Sequence, residues 1–366
     1  MNGTNVKRNP SPGGLLGRGT SSRLDRRATR RQLLILLTCL ASVGCPERGG
    51  EPEARTSRGA SPAIAAAGPQ SLAPPAGPGP SSLERGASDA ARRAAMEGYG
   101  LDYPTQVNEL PPMLDEASGL TDVSSTEVAL VQDEKGVIFV YDLLSGAVTQ
   151  KIRFGPPGDY EGLTRVGDTM LVLRSDGTLY EVRNWRAAAN VRVRSLGLPT
   201  SDNEGLGYHP GLKRVLIAPK SRWQRGKAGK HVRPVFSFDL GSGRVDPEPH
   251  VVLDLRDLVR FGEERDRELP VKATKSGSEK LALRFMPASL AIHPSTRELF
   301  VLSAQDRVLA SFEQPGNVTG YHRLAAPLFP QAEGLTFLPD ATLVIVSEAA
   351  GQRAKLVQFR WSGAAP

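Results

Sequence analysis

Three glutamates in this 366-residue chain recur in the same short phrase, Glu-Gly-Leu, at Glu161, Glu204 and Glu333. A fourth, Glu348, follows the apolar run and serine of residues 343–347. Carboxylates that recur at the same position of a repeat supply the oxygen ligands that hard cations prefer. Calcium is the cation that best suits a site without sulfur ligands or several histidines. If the fold brings the four side chains together, they are candidate ligands of a calcium ion.

The spacing of the phrase predicts the fold. Its leucines fall at positions 163, 206 and 335, and two degenerate copies, Ser-Gly-Leu and Ala-Ser-Leu, place further leucines at 120 and 290. The steps between these leucines are 43, 43, 84 and 45 residues. A period near 44 residues is the length of a propeller blade, and the short apolar runs between successive phrases suit strands that are buried on both faces. We therefore predict an all-β, five-bladed β-propeller. A sixth blade hidden in the 84-residue step is the alternative.

The predicted fold also indicates where the polar residues meet. In a propeller, the first strand of each blade starts at the mouth of the central channel at which the second strand ends. Besides the four glutamates, the predicted mouth therefore contains Ser118, Asp133, Asp176, Lys220 and Asp306. An unpaired ring of carboxylates would repel itself, so a cation or a basic group such as Lys220 is expected there. The alternative is a structural latch, in which each glutamate accepts hydrogen bonds from the backbone of the neighbouring blade.

The ring is predicted to close through an N-terminal strand. The pattern of the fifth blade ends at Trp361 one strand short, and residues 103–110 form an extended segment ahead of the first phrase. Pairing of this segment with 355–361 would remove an open sheet edge. Two charged stretches, 220–233 and 256–280, exceed the blade pattern. We expect exposed insertions there, and binding of an anionic surface is the alternative for the basic first stretch.

The first 45 residues are typical of an export signal. Basic residues 26–31 precede a short apolar core, and small residues lead to Cys45. This order resembles a bacterial lipoprotein signal with Cys45 as the lipidation site, and the core is too short to span a bilayer as a helix. Residues 29–34 also resemble a twin-arginine export signal, and an ordinary cleaved signal is the alternative. Each of these signals predicts an extracytoplasmic product.

Composition separates a tether from a folded body. Residues 46–98 are rich in Pro, Gly, Ala and Ser and contain almost no large apolar side chain, so we predict a disordered tether. Residues 99–366 remain as the propeller domain. The first 45 residues hold eight basic residues and one acidic residue, which leaves 38 of each in the rest of the chain. A body without net charge has no electrostatic footprint for nucleic acid, and we expect no such partner.

Composition and motifs exclude several kinds of site. Cys39 and Cys45 are the two cysteines of the chain, and both belong to the signal region. Disulfides, thiolate nucleophiles and cysteine zinc sites are therefore excluded from the mature domain. His209 and His293 each precede a proline at equivalent places in two blades, which indicates turns. The sequence contains no recognisable Ser-His-Asp set, phosphate-binding glycine loop or paired-histidine metal motif.

The phrases, taken in order, resemble those of a known family. Residues 331–335, Gln-Ala-Glu-Gly-Leu, followed by 344–348 are similar to the closing blade of the SdiA-regulated, YjiK-like β-propellers of bacteria. Ala288 departs from the serine that this family tends to have. The family's first three motifs are resembled by residues 116–120, 159–163 and 203–206. The resemblance implies a membrane-associated or periplasmic propeller, linked in some members to calcium. A more distant similarity to phytase-like and lactonase-like propellers implies ester hydrolysis.

These features predict a lipid-anchored protein of the bacterial cell envelope that faces the periplasm or the exterior. We expect it to bind a small ligand, a cation or an envelope protein at the mouth, without catalysis. A calcium-dependent esterase or phosphoesterase is the first alternative, in which the cation polarises the substrate oxygen and a mouth carboxylate acts as base. A structural scaffold for an envelope complex is the second alternative.

Overall fold

Twenty-three β-strands dominate the computed structural model, which describes residues 95–363 except 188, 221, 224, 225 and 227. The predicted signal with Cys45, and the predicted tether up to residue 94, lie outside the described residues. Ala95 and Met96, the first described residues, are both buried. In the described part of the chain, no helix is long and apolar enough to cross a bilayer.

Five antiparallel sheets form the blades. The first strand among the described residues is β1 (Gln106–Glu109), which belongs to the fifth blade. The first blade consists of β2 (Ala117–Asp122), β3 (Glu127–Gln132), β4 (Lys135–Asp142) and β5 (Ala147–Arg153). The second blade consists of β6 (Tyr160–Val166), β7 (Thr169–Arg174), β8 (Thr178–Arg183) and β9 (Asn190–Ser195).

The third blade is irregular at its outer edge, where two short strands replace one. It consists of β10 (Asn203–His209), β11 (Arg214–Pro219), β12 (Val232–Asp239), β13 (Arg244–Val245) and β14 (Val251–Asp254). Both β13 and β14 pair with β12. An α-helix and a separate two-stranded hairpin follow: α1 (Leu255–Glu263), β15 (Val271–Ala273) and β16 (Glu279–Leu281).

The last two blades are regular. The fourth consists of β17 (Pro287–Ile292), β18 (Leu299–Ser303), β19 (Val308–Glu313) and β20 (Asn317–Arg323). The fifth consists of β21 (Ala332–Phe337), β22 (Leu343–Ser347), β23 (Lys355–Phe359) and β1. Short 3₁₀ turns occupy Met96–Gly98, Pro112–Leu114 and Ala228–Lys230.

The five first strands, β2, β6, β10, β17 and β21, are neighbours in a closed ring. The fold is therefore a five-bladed β-propeller, as predicted, and the six-blade alternative is wrong. The 84-residue step contains one blade together with α1 and the β15–β16 hairpin. Chain length added between blades, rather than another blade, accounts for the doubled interval.

The N-terminal strand closes the ring, which confirms the predicted closure. β1 pairs antiparallel with β23, with Gln106 opposite Gln358 and Glu109 opposite Lys355. This pairing supplies the missing fourth strand of the fifth blade and covers an edge that would otherwise be open to other chains. The first and last parts of the described chain thus belong to the same sheet.

Apolar side chains fill the spaces between neighbouring blades. In β3, Val128 and Leu130 face the fifth blade, where they pack with Val344 and Val346 of β22. The intervening residues of these strands face the opposite neighbours, because successive side chains of a strand point to opposite faces. The second strands are therefore buried on both faces, as their continuous apolar runs predict.

The phrase leucines form a ring inside the channel. Each of the five is at most 3% exposed, so the ring is almost completely shielded from solvent. A methyl group at Gly162 would lie 2.6 Å from Cβ of Leu206, and one at Gly334 would lie 2.9 Å from Cβ of Leu120. The glycine of the phrase is thus required because the leucine of the adjacent blade packs directly against it.

The leucine ring separates two faces of the propeller. We call the side on which first strands begin the mouth face, and the side of the turns between first and second strands the far face. On the far face, Nδ1 of His293 accepts a hydrogen bond from the Thr296 N–H at 3.1 Å, and Nδ1 of His209 accepts one from the Leu212 N–H at the same distance. The prediction that both histidines shape turns is confirmed.

Tyr99, ahead of β1, lies on the far face. It donates its hydroxyl hydrogen to the carbonyl of Ala341 at 2.6 Å, and its oxygen lies 2.9 Å from Nε2 of His293. Both partners belong to far-face turns, and Tyr99 also forms a β-bridge with Trp361. Tyr99 is therefore fixed to the side opposite the mouth face.

Candidate functional site

A β-bulge recurs where each first strand begins on the mouth face. In the second blade, Tyr160 pairs with Arg174 and Gly162 pairs with Leu173, which leaves Glu161 as the extra residue. A bulge changes the direction of the extra residue's side chain. Without the bulge, the regular alternation of side chains along the strand would place it in the interface between two blades. The extra residues of the third, fourth and fifth blades are Glu204, Ala288 and Glu333, and Ser118 and Gly119 share this place in the first blade.

The three phrase glutamates come close enough to interact, and a lysine lies among them. Nζ of Lys220 is 2.5 Å from Oε1 of Glu204, whose side chain is 3% exposed. Glu161 interacts electrostatically with Glu204, Glu333 and Lys220. We call these four residues the central carboxylate cluster. Oε2 of Glu204 is buried and accepts no hydrogen bond from any described residue.

The central carboxylate cluster holds more carboxyl groups than it can keep ionised. Burial raises the pKa of Glu161, and the negative charges of Glu204, Asp159 and Glu333 raise it further, against the opposing effect of Lys220. Burial likewise raises the pKa of Glu204, although Lys220 lowers it. For Lys220 itself, burial lowers the pKa, but the surrounding glutamates more than reverse this effect. The lysine therefore stays charged, and Glu161 keeps its proton above the ordinary range of a glutamate.

A second acidic group lies where the fifth blade meets the first. Carboxylate oxygens of Glu116, Asp133 and Glu348 all lie within 4.8 Å of one another, and we call these residues the junction triad. Glu116 directly precedes β2, Asp133 directly follows β3, and Glu348 directly follows β22. Each residue therefore stands at a strand end on the mouth face, held by backbone pairing of its own blade.

A glutamine side chain connects to the junction triad. Nε2 of Gln331 donates to Glu333 at 3.0 Å and to Glu348 at 2.6 Å, so it joins the triad to the central carboxylate cluster. A second glutamine, Gln132, directly precedes Asp133 in the chain and is 3% exposed. Its Oε1 is buried and accepts no hydrogen bond from the described residues.

The other residues predicted at the mouth have separate roles. Ser118 donates its hydroxyl hydrogen to the Tyr160 carbonyl at 2.6 Å and so links the first blade to the second. Asp176 forms an ion pair with Arg174 at 2.6 Å, and this hydrogen-bonded pairing lowers the pKa of Asp176 to about 2 despite partial burial. Asp306 accepts the backbone N–H of Phe285 at 2.6 Å and braces the segment that leads into the fourth blade.

The structure thus divides the predicted ligand set. Glu161, Glu204 and Glu333 share Lys220 in the central carboxylate cluster, whereas Glu348 lies in the junction triad. Glu204 contacts Lys220 and Glu333 contacts Gln331, which are side chains of their own blades. Ser118 forms a link between two neighbouring blades.

Glu116 and Gln132 were missed as candidate ligands because neither belongs to the repeated phrase. The available signal for Glu116 is its place directly before the first strand of a blade, two residues ahead of the degenerate phrase. Gln132 ends an apolar second strand, in the place that Ser347 occupies in the fifth blade.

The donor set of the junction triad fits a hard divalent cation. Calcium binds carboxylate and amide oxygens at about 2.3–2.6 Å, so two oxygens on one ion are at most about 5 Å apart. The observed limit of 4.8 Å meets this condition. The three carboxylates would supply three ligands, and calcium would complete its shell with other oxygen atoms, such as those of side-chain amides, backbone carbonyls or water. The central carboxylate cluster fits a cation less well, because Lys220 already supplies positive charge there.

Comparisons with known proteins concern the architecture. No protein-family model matches the chain, and no curated protein is significantly similar to it. Its structure is similar to that of glutaminyl cyclase from Myxococcus xanthus, with 11% identity and a TM-score of 0.45 over 70% of this chain and 95% of that one. A streptogramin B lyase gives 10% identity and a TM-score of 0.40 over 70% and 98% of the two chains. Virginiamycin B lyase from Staphylococcus aureus gives 15% identity and a TM-score of 0.37 over 71% of each.

Proposed function

We propose that this protein is a non-catalytic, lipid-anchored β-propeller of the bacterial cell envelope that binds a divalent cation, best calcium, on its mouth face. The single observation that carries the proposal is the junction triad of Glu116, Asp133 and Glu348, whose oxygens lie within 4.8 Å of one another. Gln132, which directly precedes Asp133 in the chain, has a buried Oε1 that accepts no hydrogen bond from the described residues, and this is a second feature that supports the proposal. A bound ion would also offer its open positions to an anionic or oxygen-bearing ligand.

The position of the triad suggests what the cation does. Glu116 and Asp133 belong to the first blade and Glu348 to the fifth, which are the two blades that the closing strand brings together. An ion held by both blades would stabilise the closed ring. The unfolded chain does not assemble these three carboxylates, so cation binding adds directly to the free energy of unfolding.

The first prediction is that calcium stabilises the full-length protein. At a free calcium concentration 100 times the dissociation constant, linkage adds about 2.7 kcal/mol to the free energy of unfolding. Thermal melts with chelator and with millimolar calcium measure the effect. Glu348→Gln and Asp133→Asn should each remove most of the gain, because each deletes one charged ligand.

Asp176→Asn is the matched control. It also removes one negative charge from the mouth side of a blade, but from a residue that is paired with Arg174. Its melting temperature should therefore respond to calcium as the wild type does. A wild-type melting curve that millimolar calcium leaves unmoved would reject the cation site, and so would an unchanged response in Glu348→Gln.

A calcium-dependent hydrolase is the second candidate, and one observation favours it. Glu161 is a half-buried carboxyl group whose raised pKa lets it carry a proton at neutral pH, which is the property of a general acid. The same mouth face holds the proposed cation. Hydrolysis of a p-nitrophenyl ester that Glu161→Gln abolishes, while the calcium response remains, would favour catalysis over binding.

The second prediction concerns the anchor, for which the support is the sequence order of basic residues, apolar core and Cys45. If Cys45 is lipidated, the full-length protein should fractionate with membranes and incorporate labelled fatty acid in a bacterial host. Cys45→Ser should abolish the labelling and either release the protein or leave its signal uncleaved. Wild-type protein without label would contradict a lipoprotein.

A further inference from the structure

A basic groove lies on the mouth face beside the third and fourth blades. Its walls come from Arg222, Lys230 and His231 between β11 and β12, from α1, and from the β15–β16 hairpin with the residues that follow it, and its volume is about 580 Å³. This volume is within the range of about 300–1,000 Å³ that is usual for small-molecule sites. Eight lysine and arginine residues line it, against one acidic residue, Glu263.

Most of this positive charge is not neutralised within the protein. Arg256 and Arg260 form ion pairs with Asp254 and Asp257. Five other cations of the groove form no ion pair with any described residue: Arg222, Lys230, Lys272, Lys280 and Arg284. Clefts lined by charges of one sign concentrate the field and attract counter-ions. The groove is therefore an attractive site for a multiply charged anion.

The hairpin places two of these charges directly opposite each other. Lys272 of β15 is the cross-strand partner of Lys280 of β16, and both side chains are exposed. Like charges in this position destabilise a two-stranded pairing, and the hairpin has no third strand to compensate. An anion between the two ammonium groups would turn this repulsion into attraction.

A buried arginine makes the wall of the groove rigid. Arg233, which is 2% exposed, donates from Nε to the Phe285 carbonyl at 2.7 Å and from its terminal nitrogens to the carbonyls of Arg284 and Val232. These bonds join β12 to the segment that follows the hairpin. The cations on both sides are thus held in a fixed framework, which reduces the entropy lost when a ligand binds.

The groove also has an apolar part. Leu255 and Val259 of α1 lie in its lining together with Leu281 of the hairpin. Leu281 and its cross-strand partner Val271 are each 47% exposed. In a ligand that combines a charged group with an apolar group, the basic side chains of the groove would bind the first and its apolar side chains would contact the second.

We infer that this groove binds a phosphate-bearing anion. Guanidinium and ammonium groups are the side chains that recognise phosphate in proteins, and arginine contributes paired donors that match its oxygens. The inference is independent of the cation proposed for the junction triad, because the two sites share no residue. The phosphate could be that of a free metabolite or that of a lipid headgroup, and the two sources differ in whether a bilayer is needed.

The test measures phosphate binding by the full-length protein in 150 mM salt with chelator present, so that calcium plays no part. Sodium tripolyphosphate is titrated calorimetrically, and vesicles of phosphatidylglycerol or of phosphatidylcholine are used in cosedimentation. Wild-type protein should bind tripolyphosphate, phosphatidylglycerol vesicles or both. Lys272→Glu with Lys280→Glu should weaken that binding at least tenfold, because two attractive charges become repulsive.

A double variant with the same change in net charge serves as the control. Lys213→Glu with Lys275→Glu alters two exposed lysines that do not line the groove, and its affinity should stay within twofold of wild type. Binding of tripolyphosphate alone would assign a soluble phosphate compound, and binding of phosphatidylglycerol vesicles alone a lipid headgroup. Absence of both, or an equal loss in the two double variants, would overturn the inference, provided that the wild-type protein is folded by circular dichroism.

Discussion

Glu161 is a carboxyl group whose ionisation the folded protein disfavours. Its environment contains Glu204, Glu333 and Asp159 as negative groups and Lys220 as the positive one. Lys220 forms its 2.5 Å ion pair with Glu204. The ionised form of Glu161 is therefore destabilised by burial and by repulsion from the neighbouring carboxylates. The folded protein therefore binds a proton that the unfolded chain releases once the pH exceeds the ordinary pKa of a glutamate, 4.5.

The third prediction follows from the sign of this linkage. Where the folded state binds more protons than the unfolded state, stability falls as the pH rises. Glu161→Gln removes the titrating group but keeps the size of the side chain, so it should be more stable than wild type at pH 8, and the difference should shrink toward pH 4.5. Thermal melts across this pH range measure the effect.

The corresponding substitution at the exposed Glu97 is the control, and it should leave the dependence of melting temperature on pH unchanged. If Glu161→Gln and wild type have the same pH profile, the carboxyl group is ionised in the folded protein. That result would also remove the observation that favours a hydrolase.

At the scale of the elements, regular features follow from local sequence and irregular ones do not. The apolar runs of the second strands and the interval of the phrases predict the blades, because each blade must bury both faces of its inner strands. The extension at 103–110 predicts β1, which is observed at Gln106–Glu109. The apolar strands and the regular phrase interval are local features of the sequence that any blade of this kind requires.

The stretch 256–280 shows what local sequence could not supply. The sequence indicates only an exposed insertion, whereas the structure contains α1 and the β15–β16 hairpin there. α1 has nine residues and buries Leu255, Leu258 and Gly262. A helix this short is marginal by itself, and its stability depends on packing against the third and fourth blades.

The junction triad was out of reach of sequence reasoning for a similar reason. Glu116 and Glu348 are 232 residues apart, and they meet because the ring closes between the first and fifth blades. The sequence analysis likewise did not predict the β-bulge at the phrase glutamates. The sequence feature that corresponds to the bulge is an acidic residue directly before Gly-Leu at the start of a buried strand. Recognition of the phrase gave the right face of the propeller but not the grouping of its carboxylates.

The fourth prediction concerns β1. A chain that lacks residues 1–94 should keep the melting temperature of the full-length protein, because every described residue remains. A chain that lacks residues 1–110 loses β1 and exposes the edge of β23, so it should melt at a lower temperature and aggregate. Scattering during thermal melts compares the two truncations.

The truncation of residues 1–110 removes buried side chains as well as the closing strand, and these two effects can be distinguished. Residues 95–110 include the buried Tyr99 and Leu110, so some loss of stability is expected in any case. Addition of a peptide of residues 95–110 should restore solubility if the strand's place in the sheet is what matters. Truncations of equal solubility and melting temperature would contradict the role of β1.

At the scale of the whole molecule, the leucine ring makes the propeller two-sided. The five leucines are almost completely buried, and a cavity of about 210 Å³ lies on their far-face side. The carboxylate groups and the basic groove lie on the other side. A ligand on the mouth face therefore meets a different set of residues from a ligand in the far-face cavity, and the two faces are separate candidate binding surfaces.

The attachment of Tyr99 to the far face has a consequence for how binding can be observed. Tyr99 is bonded to Ala341 and His293 there, and these three residues lie on the side of the leucine ring opposite the carboxylates and the basic groove. A fluorescent label placed in a far-face turn, such as the turn that contains Ala341, would therefore leave the mouth face free for its ligands.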